Sequence, residues 1–125
     1  MAFGWGDSEH AHRQVYHGEA HEASLTHELL AGAASFEAMK LWEDYQRKQG
    51  KSVSHSFAKE AIAGIVGSQI DRLAETKGMD ELEKHKAKRH AEENAHQMYS
   101  EHYEREMGAG EYDPGRYRAH HSYRN

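Results

Sequence analysis

Three long stretches of the chain place apolar residues at the three- and four-residue steps of amphipathic helices. The first follows Thr26, a residue type that favours helix N-caps, and ends at Gly50, which suits a left-handed C-cap. Ser54 and Gly78 bound the second stretch in the same way, and Asp80 precedes the third. The pattern predicts three main helices, over about residues 27–49, 55–77 and 81–107.

The first of these helices is apolar on two sides, which predicts neighbours on two sides. One face comprises Leu30, Ala34, Ala38, Leu41 and Tyr45, and the other comprises Leu29, Ala33 and Phe36. The third helix carries a narrow apolar side of Ala87, Ala91, Ala95 and Met98. We therefore expect the first helix to be the central one, with the others packed against it.

The second helix has an apolar stripe and, on another side, two glycines. The stripe consists of Ala58, Ile62, Ile65, Val66, Ile70 and Leu73. Gly64 and Gly67 each weaken a helix by about 1 kcal/mol relative to alanine. Glycine at these positions predicts a close neighbour on that side.

The ends of the chain are less regular. Residues 8–16 have a weak apolar stripe that predicts a short helix, and residues 108–125 are rich in Gly, Tyr, Arg and His. The sequence thus predicts an all-α, compact bundle of three main helices with a short N-terminal helix and an irregular C-terminal tail. We divide it into a helical domain, 1–107, and a tail, 108–125.

The composition predicts a thin core. Fifteen Leu, Ile, Val and Phe residues stand beside seventeen alanines in a chain of 125 residues. Alanine buries little area, at roughly 25 cal/mol per Å², but it lets helices approach closely. We expect a homo-oligomer in which association supplies part of the missing burial.

Other features of the sequence predict where the protein is located and which partners it binds. The chain has no cysteine, no signal-peptide pattern and no apolar run of membrane-spanning length, so we expect a cytoplasmic protein with no membrane partner. A basic cluster at 84–90 is flanked by acidic residues, and acids outnumber bases by 21 to 16. Nucleic acid is therefore not an expected partner.

Histidine is unusually frequent, at twelve residues. Because histidine titrates near about pH 6.5, the net charge of −5 at pH 7 becomes positive in mild acid, and association could depend on pH. His10, His12, His17 and His21 are candidate ligands for a divalent transition metal such as zinc, nickel or copper, and haem is a further alternative. A solvated histidine-rich segment that binds no metal is the simpler interpretation.

A second set of polar residues lies on the two core helices: Glu37, His55, Lys59, Glu60, Asp71, Arg72 and Glu75. We predict a structural polar network there, because partly buried charges must pair with one another. A small-molecule pocket on the same residues is the alternative, and an enzyme would require a closed polar pocket between the two helices. No nucleophile motif or phosphate-binding glycine loop is present, so we expect no catalytic residues.

Three segments carry a family resemblance: residues 21–34, residues 54–61, and Asp71-Arg72-Leu73 followed by Glu75-Thr76-Lys77-Gly78. They resemble the fungal CipC-like proteins, which are named for induction by the antibiotic concanamycin and contain a domain of unknown function. The resemblance covers roughly residues 3–105. It implies a cytosolic stress- or antibiotic-response protein and supplies no catalytic or cofactor-binding residue. The leading interpretation is a non-enzymatic protein of this class that associates with itself through its Ala- and Gly-rich helix faces and its aromatic ends.

Overall fold

The computed structural model describes residues 5–16 and 26–123. Its helices are α1 (Trp5–Tyr16), α2 (His27–Gln49), α3 (His55–Lys77) and α4 (Glu81–Tyr99). A π-helical segment (Ser100–Glu106) continues α4, and a short 3₁₀ turn (His121–Tyr123) lies in the tail. The predicted all-α bundle with a short N-terminal helix and an irregular tail is confirmed.

The predicted caps define the ends of the main helices. The side-chain oxygens of Thr26, Ser54 and Asp80 accept hydrogen bonds from the third backbone N–H of α2, α3 and α4. Gly50 and Gly78 adopt the left-handed conformation, with φ of 68° and 70°. Local sequence chemistry therefore determines where these helices begin and end.

The core lies where α2, α3 and α4 meet. The alanines Ala87, Ala91 and Ala95 on α4 are fully buried, as predicted, and the Ser35 hydroxyl of α2 lies 2.8 Å from the Ala91 carbonyl oxygen. Trp42 fills the wider end of the core beside Tyr99. Small residues thus bring α2 and α4 close together, and aromatic rings occupy the space beyond.

The predicted faces of α2 need one correction. Leu30, Ala34 and Ala38 are buried, but Leu41 and Tyr45 are 38% and 62% exposed. The exposed pair marks a side of α2 that the described residues leave uncovered.

α1 begins at Trp5, earlier than the predicted start at residue 8. The Trp5 indole is 5% exposed and its Nε1–H donates to the Met98 carbonyl oxygen at 3.0 Å, so burial of this ring favours the additional turn. Farther along, His12 contacts Glu37 of α2, and the Tyr16 hydroxyl donates to Gln69 of α3 at 2.7 Å. α1 therefore bridges α2 and α3 at one end of the seam between them.

The third predicted helix, 81–107, changes type near its end. After Tyr99 the hydrogen bonding becomes π-helical, as in the bond from the Met107 N–H to the His102 carbonyl oxygen at 3.0 Å. His102 and Tyr103 of this segment are buried. The wider turn directs both rings inward, toward the tail and the end of α2.

The tail docks on its own bundle. Val53 and Tyr112 exchange two backbone hydrogen bonds, of 3.0 and 2.9 Å, and the Tyr123 hydroxyl donates to the Phe36 carbonyl oxygen at 2.7 Å. Between these points the tail crosses the end of α2 and reaches Trp5, against whose ring His120 stacks. Within the part of the chain that the structure describes, no helix combines the length and apolarity needed to cross a bilayer.

Candidate functional site

Among the described residues, the most heavily buried charged group is the carboxylate of Glu43, whose residue is 2% exposed. It accepts hydrogen bonds from the hydroxyls of Tyr103 and Tyr112, the latter at 2.7 Å, and from Nε of Arg47 at 3.0 Å. Tyr103 comes from the π-helical segment and Tyr112 from the tail. One carboxylate on α2 therefore bonds to two segments that lie 60 and 69 residues farther along the chain.

Arg47 extends this cluster toward the tail backbone. Its guanidinium donates to the carbonyl oxygens of Pro114 at 3.2 Å and Tyr117 at 2.9 Å, and also to the Tyr103 hydroxyl at 2.9 Å. Tyr103 thus donates to Glu43 and accepts from Arg47, which uses both capacities of its hydroxyl. The fork of Arg47 holds the tail against the end of α2.

Burial also affects the ionisation of these side chains. Desolvation, reinforced by the negative charge of Glu43, raises the pKa of Tyr103 and Tyr112 well above the ordinary value of 10.0. Burial alone would lower the pKa of Arg47, but attraction to Glu43 and the two tyrosines outweighs it and raises that pKa. Both hydroxyls therefore remain proton donors to Glu43 throughout the neutral range.

The stability of the protein should consequently fall in alkali. Because the folded state holds these phenol protons more tightly than the unfolded state, their contribution is complete below about pH 10 and is lost as the pH rises further. This decline should appear in urea unfolding followed by circular dichroism at pH values from roughly 8 to 12. Tyr112→Phe should make the decline shallower, whereas Tyr45→Phe, at an exposed position, should leave its slope unchanged.

The Glu43 cluster is suited to fixing structure rather than to reacting. Its carboxylate has three donors, and the two hydroxyls and the guanidinium are each engaged with protein atoms. A shallow depression of about 360 Å³ lies beside it, lined by Glu43, Asp44, Arg47, Arg118, Ala119 and Tyr123. The arrangement can hold the tail in place, and its polar groups are committed to that task.

A second candidate is an apolar groove at the uncovered end of the α2–α3 seam. It has a volume of about 400 Å³. Its lining comprises Trp42, Tyr45, Gln46, Gln49, Lys51, Val53, Phe57, Ala61 and Ile65. Lys51 is the only charged residue in this lining, although 30% of the chain is charged. Exposed aromatic rings, Tyr45 at 62% and Phe57 at 54%, stand at its rim.

The groove continues along one face of α3. Phe57, Ala61 and Ile65 are four residues apart, and Gly64 and Ser68 lie three residues after Ala61 and Ile65, so the five residues share a helix face. A Cβ added to Gly64 would meet no atom of the described residues within 4 Å beyond the helix's own backbone, and the same is true of Gly67. The neighbour predicted for these glycines is therefore not supplied by the described part of the chain.

The structure distributes the predicted polar residues over three separate places. Glu37 contacts His12 of α1 at 2.7 Å. His55 lies between the Tyr99 hydroxyl and the Ala109 carbonyl oxygen, and Lys59 pairs with Glu104 at 2.8 Å. At the other end of α4, Asp71 pairs with Lys88 at 2.9 Å and Lys84 at 3.7 Å. Three further members, Glu60, Arg72 and Glu75, are exposed. These contacts do not merge into one network.

The candidate metal ligands are only partly within the described residues. His10 is exposed on α1, whereas His12 is half-buried and bonded to Glu37. His17 and His21 lie outside the described residues. Within residues 5–16 and 26–123, no group of three or more His, Asp or Glu side chains is arranged to hold a metal ion.

Sequence reasoning missed the Glu43 cluster. Glu43 and Arg47 are four residues apart, a spacing typical of an exposed helix-surface pair. The tyrosines that bury the carboxylate are 60 and 69 residues farther along the chain. The available signal was the position of Glu43 directly beside Trp42 on the central helix, combined with a tail rich in tyrosine.

The fold and its buried cluster define a small all-α protein whose tail is held to the bundle by a tyrosine–carboxylate–arginine network. A model of the virulence factor CipC-like family matches residues 11–102, and the chain belongs to this family, whose molecular function is unknown. The resemblance inferred from the sequence is thereby confirmed. No curated protein and no solved structure matches significantly.

Proposed function

We propose that the protein is a non-enzymatic, cytoplasmic stress-response protein that associates with a second copy of itself through the uncovered α2–α3 seam. The main support is the apolar groove of the α2–α3 seam. The rings of Tyr45 and Phe57 are exposed at its rim, and its lining contains one charged residue. Exposed apolar patches rimmed by polar residues mark interaction surfaces in soluble proteins. Aromatic residues are enriched in such interfaces, and charged residues are depleted at their centres.

The seam already binds one helix within the chain. α1 bridges α2 and α3 at the end marked by Glu37 and Gln69, while the groove occupies the other end. A further helix could therefore pack on the continuation of the same surface. Gly64, on the face that continues the groove, leaves room for the backbone of such a neighbour to approach closely.

A second copy is the occupant that this surface favours. In a two-fold dimer each surface meets its own duplicate, so a charged patch would face charges of its own sign, whereas an apolar patch matches itself. The small core, with fifteen large aliphatic and phenylalanine residues, also gives association a stabilising role. Pairing of two seams would bring four helices, α2 and α3 from each copy, together at the interface.

The enzyme and metal alternatives have weaker support. The groove is open and apolar rather than a closed polar pocket, and the Glu43 carboxylate is occupied by protein donors. The metal alternative depends on His10, His12, His17 and His21, and the last two lie outside the described residues. Within the described residues, no group of three or more His, Asp or Glu side chains is arranged to hold a metal ion.

The dimer can be tested with the substitution Phe57→Asp. Phe57 is 54% exposed and lies in the first turn of α3, where an aspartate suits the helix dipole, so the variant should fold. Light scattering coupled to size exclusion at micromolar concentration should give a dimer for the wild type and a monomer for Phe57→Asp. Leu82→Asp is the matched control, because Leu82 is 63% exposed near the start of α4, outside the groove lining.

The outcomes separate the possibilities. Dimers of the wild type and Leu82→Asp, with a monomeric Phe57→Asp, support the seam. A wild type that stays at the 14.3 kDa mass of one chain would contradict self-association. A Phe57→Asp variant that dimerises as strongly as the wild type would contradict the choice of surface.

A further inference from the structure

One wall of the groove is bonded to the tail. Val53, in the connector between α2 and α3, lines the groove. The same residue forms an antiparallel bridge with Tyr112 of the tail, through two backbone hydrogen bonds of 3.0 and 2.9 Å. The tail therefore holds this part of the groove wall in position.

The ring of Tyr112 also supports the groove from inside the core. Trp42 lines the groove and packs against Tyr112, with ring centroids 4.4 Å apart. Tyr112 is fully buried, and its hydroxyl donates to Glu43 at 2.7 Å. Because protein interiors are closely packed, Trp42 would lose its support if this ring moved away.

A third contact joins the start of the tail to the first turn of α3. Nε2 of His55 lies 2.7 Å from the Ala109 carbonyl oxygen, and the Tyr99 hydroxyl lies 2.7 Å from Nδ1. Phe57, whose ring stands at the rim of the groove, belongs to the same turn. Residues 109–112 are thus attached to three of the segments that form the groove.

The far end of the tail contacts a different part of the bundle. The Tyr123 hydroxyl donates to the Phe36 carbonyl oxygen at 2.7 Å, and the His120 ring stacks on Trp5. Neither Phe36 nor Trp5 lies in the lining of the groove. The two ends of the tail can therefore be perturbed separately.

We propose that residues 109–112 form a strap that keeps the groove in the shape in which two copies pair. A chain with a detached strap would have to order the connector and Trp42 on association, and this cost weakens pairing. Linkage makes the effect reciprocal, so that pairing stabilises the docked strap by the same factor. The strap acts on the proposed dimer and therefore depends on that dimer forming through the seam.

Hydrogen exchange of the wild-type chain measures this coupling. The N–H groups of Val53 and Tyr112 are bonded across the bridge, so their exchange requires the strap to open. Between protein concentrations that give mostly monomer and mostly dimer, their exchange should slow about tenfold, within the usual range of coupling between two sites. The Met79 N–H, bonded to the Ala74 carbonyl oxygen at the end of α3, should keep its rate. In Phe57→Asp the rates of all three should be independent of concentration.

The substitution Tyr112→Ala tests the strap from the other direction. It removes the ring beside Trp42 and the bond to Glu43, so the dissociation constant of the dimer should rise about tenfold. Tyr123→Ala is the matched control at the far end of the tail and should dimerise as tightly as the wild type. Light scattering over a concentration series gives both constants, and circular dichroism checks that each variant keeps its helices. If Tyr112→Ala does not fold, the exchange of the wild-type chain decides.

The outcomes distinguish the strap from the dimer. Slower exchange of Val53 and Tyr112 in the wild-type dimer, with weaker pairing of a folded Tyr112→Ala, supports the strap. A wild type that dimerises while these amides slow no more than the Met79 amide would overturn the strap and leave the seam dimer intact. Equally tight dimers of Tyr112→Ala and the wild type would do the same. A wild type that stays monomeric would contradict the dimer and the strap together.

Discussion

Replacing Glu43 by alanine is expected to lower the free energy of unfolding by about 3 to 5 kcal/mol, the range for removing one partner of a buried charge pair. The substitution leaves the Tyr103 and Tyr112 hydroxyls without their acceptor and Arg47 without its counter-ion. Because Glu43 is 2% exposed, water cannot replace the lost bonds without opening the structure. Urea unfolding followed by circular dichroism measures the effect directly.

The neighbouring residue provides the control for this variant. Asp44 has an exposed side chain and pairs with Lys40 on the helix surface at 3.1 Å, so Asp44→Ala should cost less than about 0.5 kcal/mol. The loss in the free energy of unfolding for Glu43→Gln should lie between those for Glu43→Ala and Asp44→Ala, because glutamine keeps an acceptor and loses the charge. Equal small effects of Glu43→Ala and Asp44→Ala would show that the cluster does not stabilise the fold.

The second large effect is expected for Trp5→Ala. This substitution should lower the free energy of unfolding by about 3 to 5 kcal/mol, the range for removing a buried tryptophan. The indole contacts Phe36 of α2 and both His120 and Tyr123 of the tail, and it bonds to the Met98 carbonyl oxygen. Its removal should free α1 and the end of the tail together. Hydrogen exchange should therefore increase in residues 5–16 and in residues 118–123.

The matched variant is Trp5→Phe, which keeps an aromatic ring and loses the indole N–H bond to Met98. Its cost should be nearer to about 1 kcal/mol, the value of a typical hydrogen bond, and the tail should remain protected. If Trp5→Ala increased exchange in α1 alone, the tail would be held without Trp5. The predicted coupling between α1 and the end of the tail would then be wrong.

Much of the bundle could be predicted because its determinants are local. The caps at Thr26, Ser54 and Asp80 and the glycines Gly50 and Gly78 fix the helix ends within a few residues. The buried alanine side of α4 likewise follows from a four-residue spacing within one helix. These signals require no knowledge of how distant segments meet.

The tail and the candidate site depended on contacts that no local pattern encodes. Tyr112 is 69 residues from Glu43, and the Phe36 carbonyl oxygen that receives Tyr123 is 87 residues away. The π-helical segment was also unpredicted, since Ser100–Glu106 reads as a continuation of α4. Leu41 and Tyr45 fit the apolar pattern of α2, yet both are exposed. Their exposure depends on where α1, α3 and α4 pack, which the pattern within α2 does not contain.

These exposed residues are what connects the fold to the proposed function. The described residues use Glu43, Arg47 and two tyrosines to attach the tail, whereas the groove of the α2–α3 seam stays open. For this member of the virulence factor CipC-like family we propose a binding surface rather than a reaction.

The absence of cysteine in the chain allows a direct measurement of the seam. Gln49→Cys places one thiol at an exposed position in the groove lining, and Glu93→Cys places one at an exposed position on α4, outside that lining. With a short bismaleimide, Gln49→Cys should cross-link to a covalent dimer in high yield and Glu93→Cys should stay monomeric. Cross-linking that is no better at Gln49→Cys than at Glu93→Cys would contradict pairing through the seam.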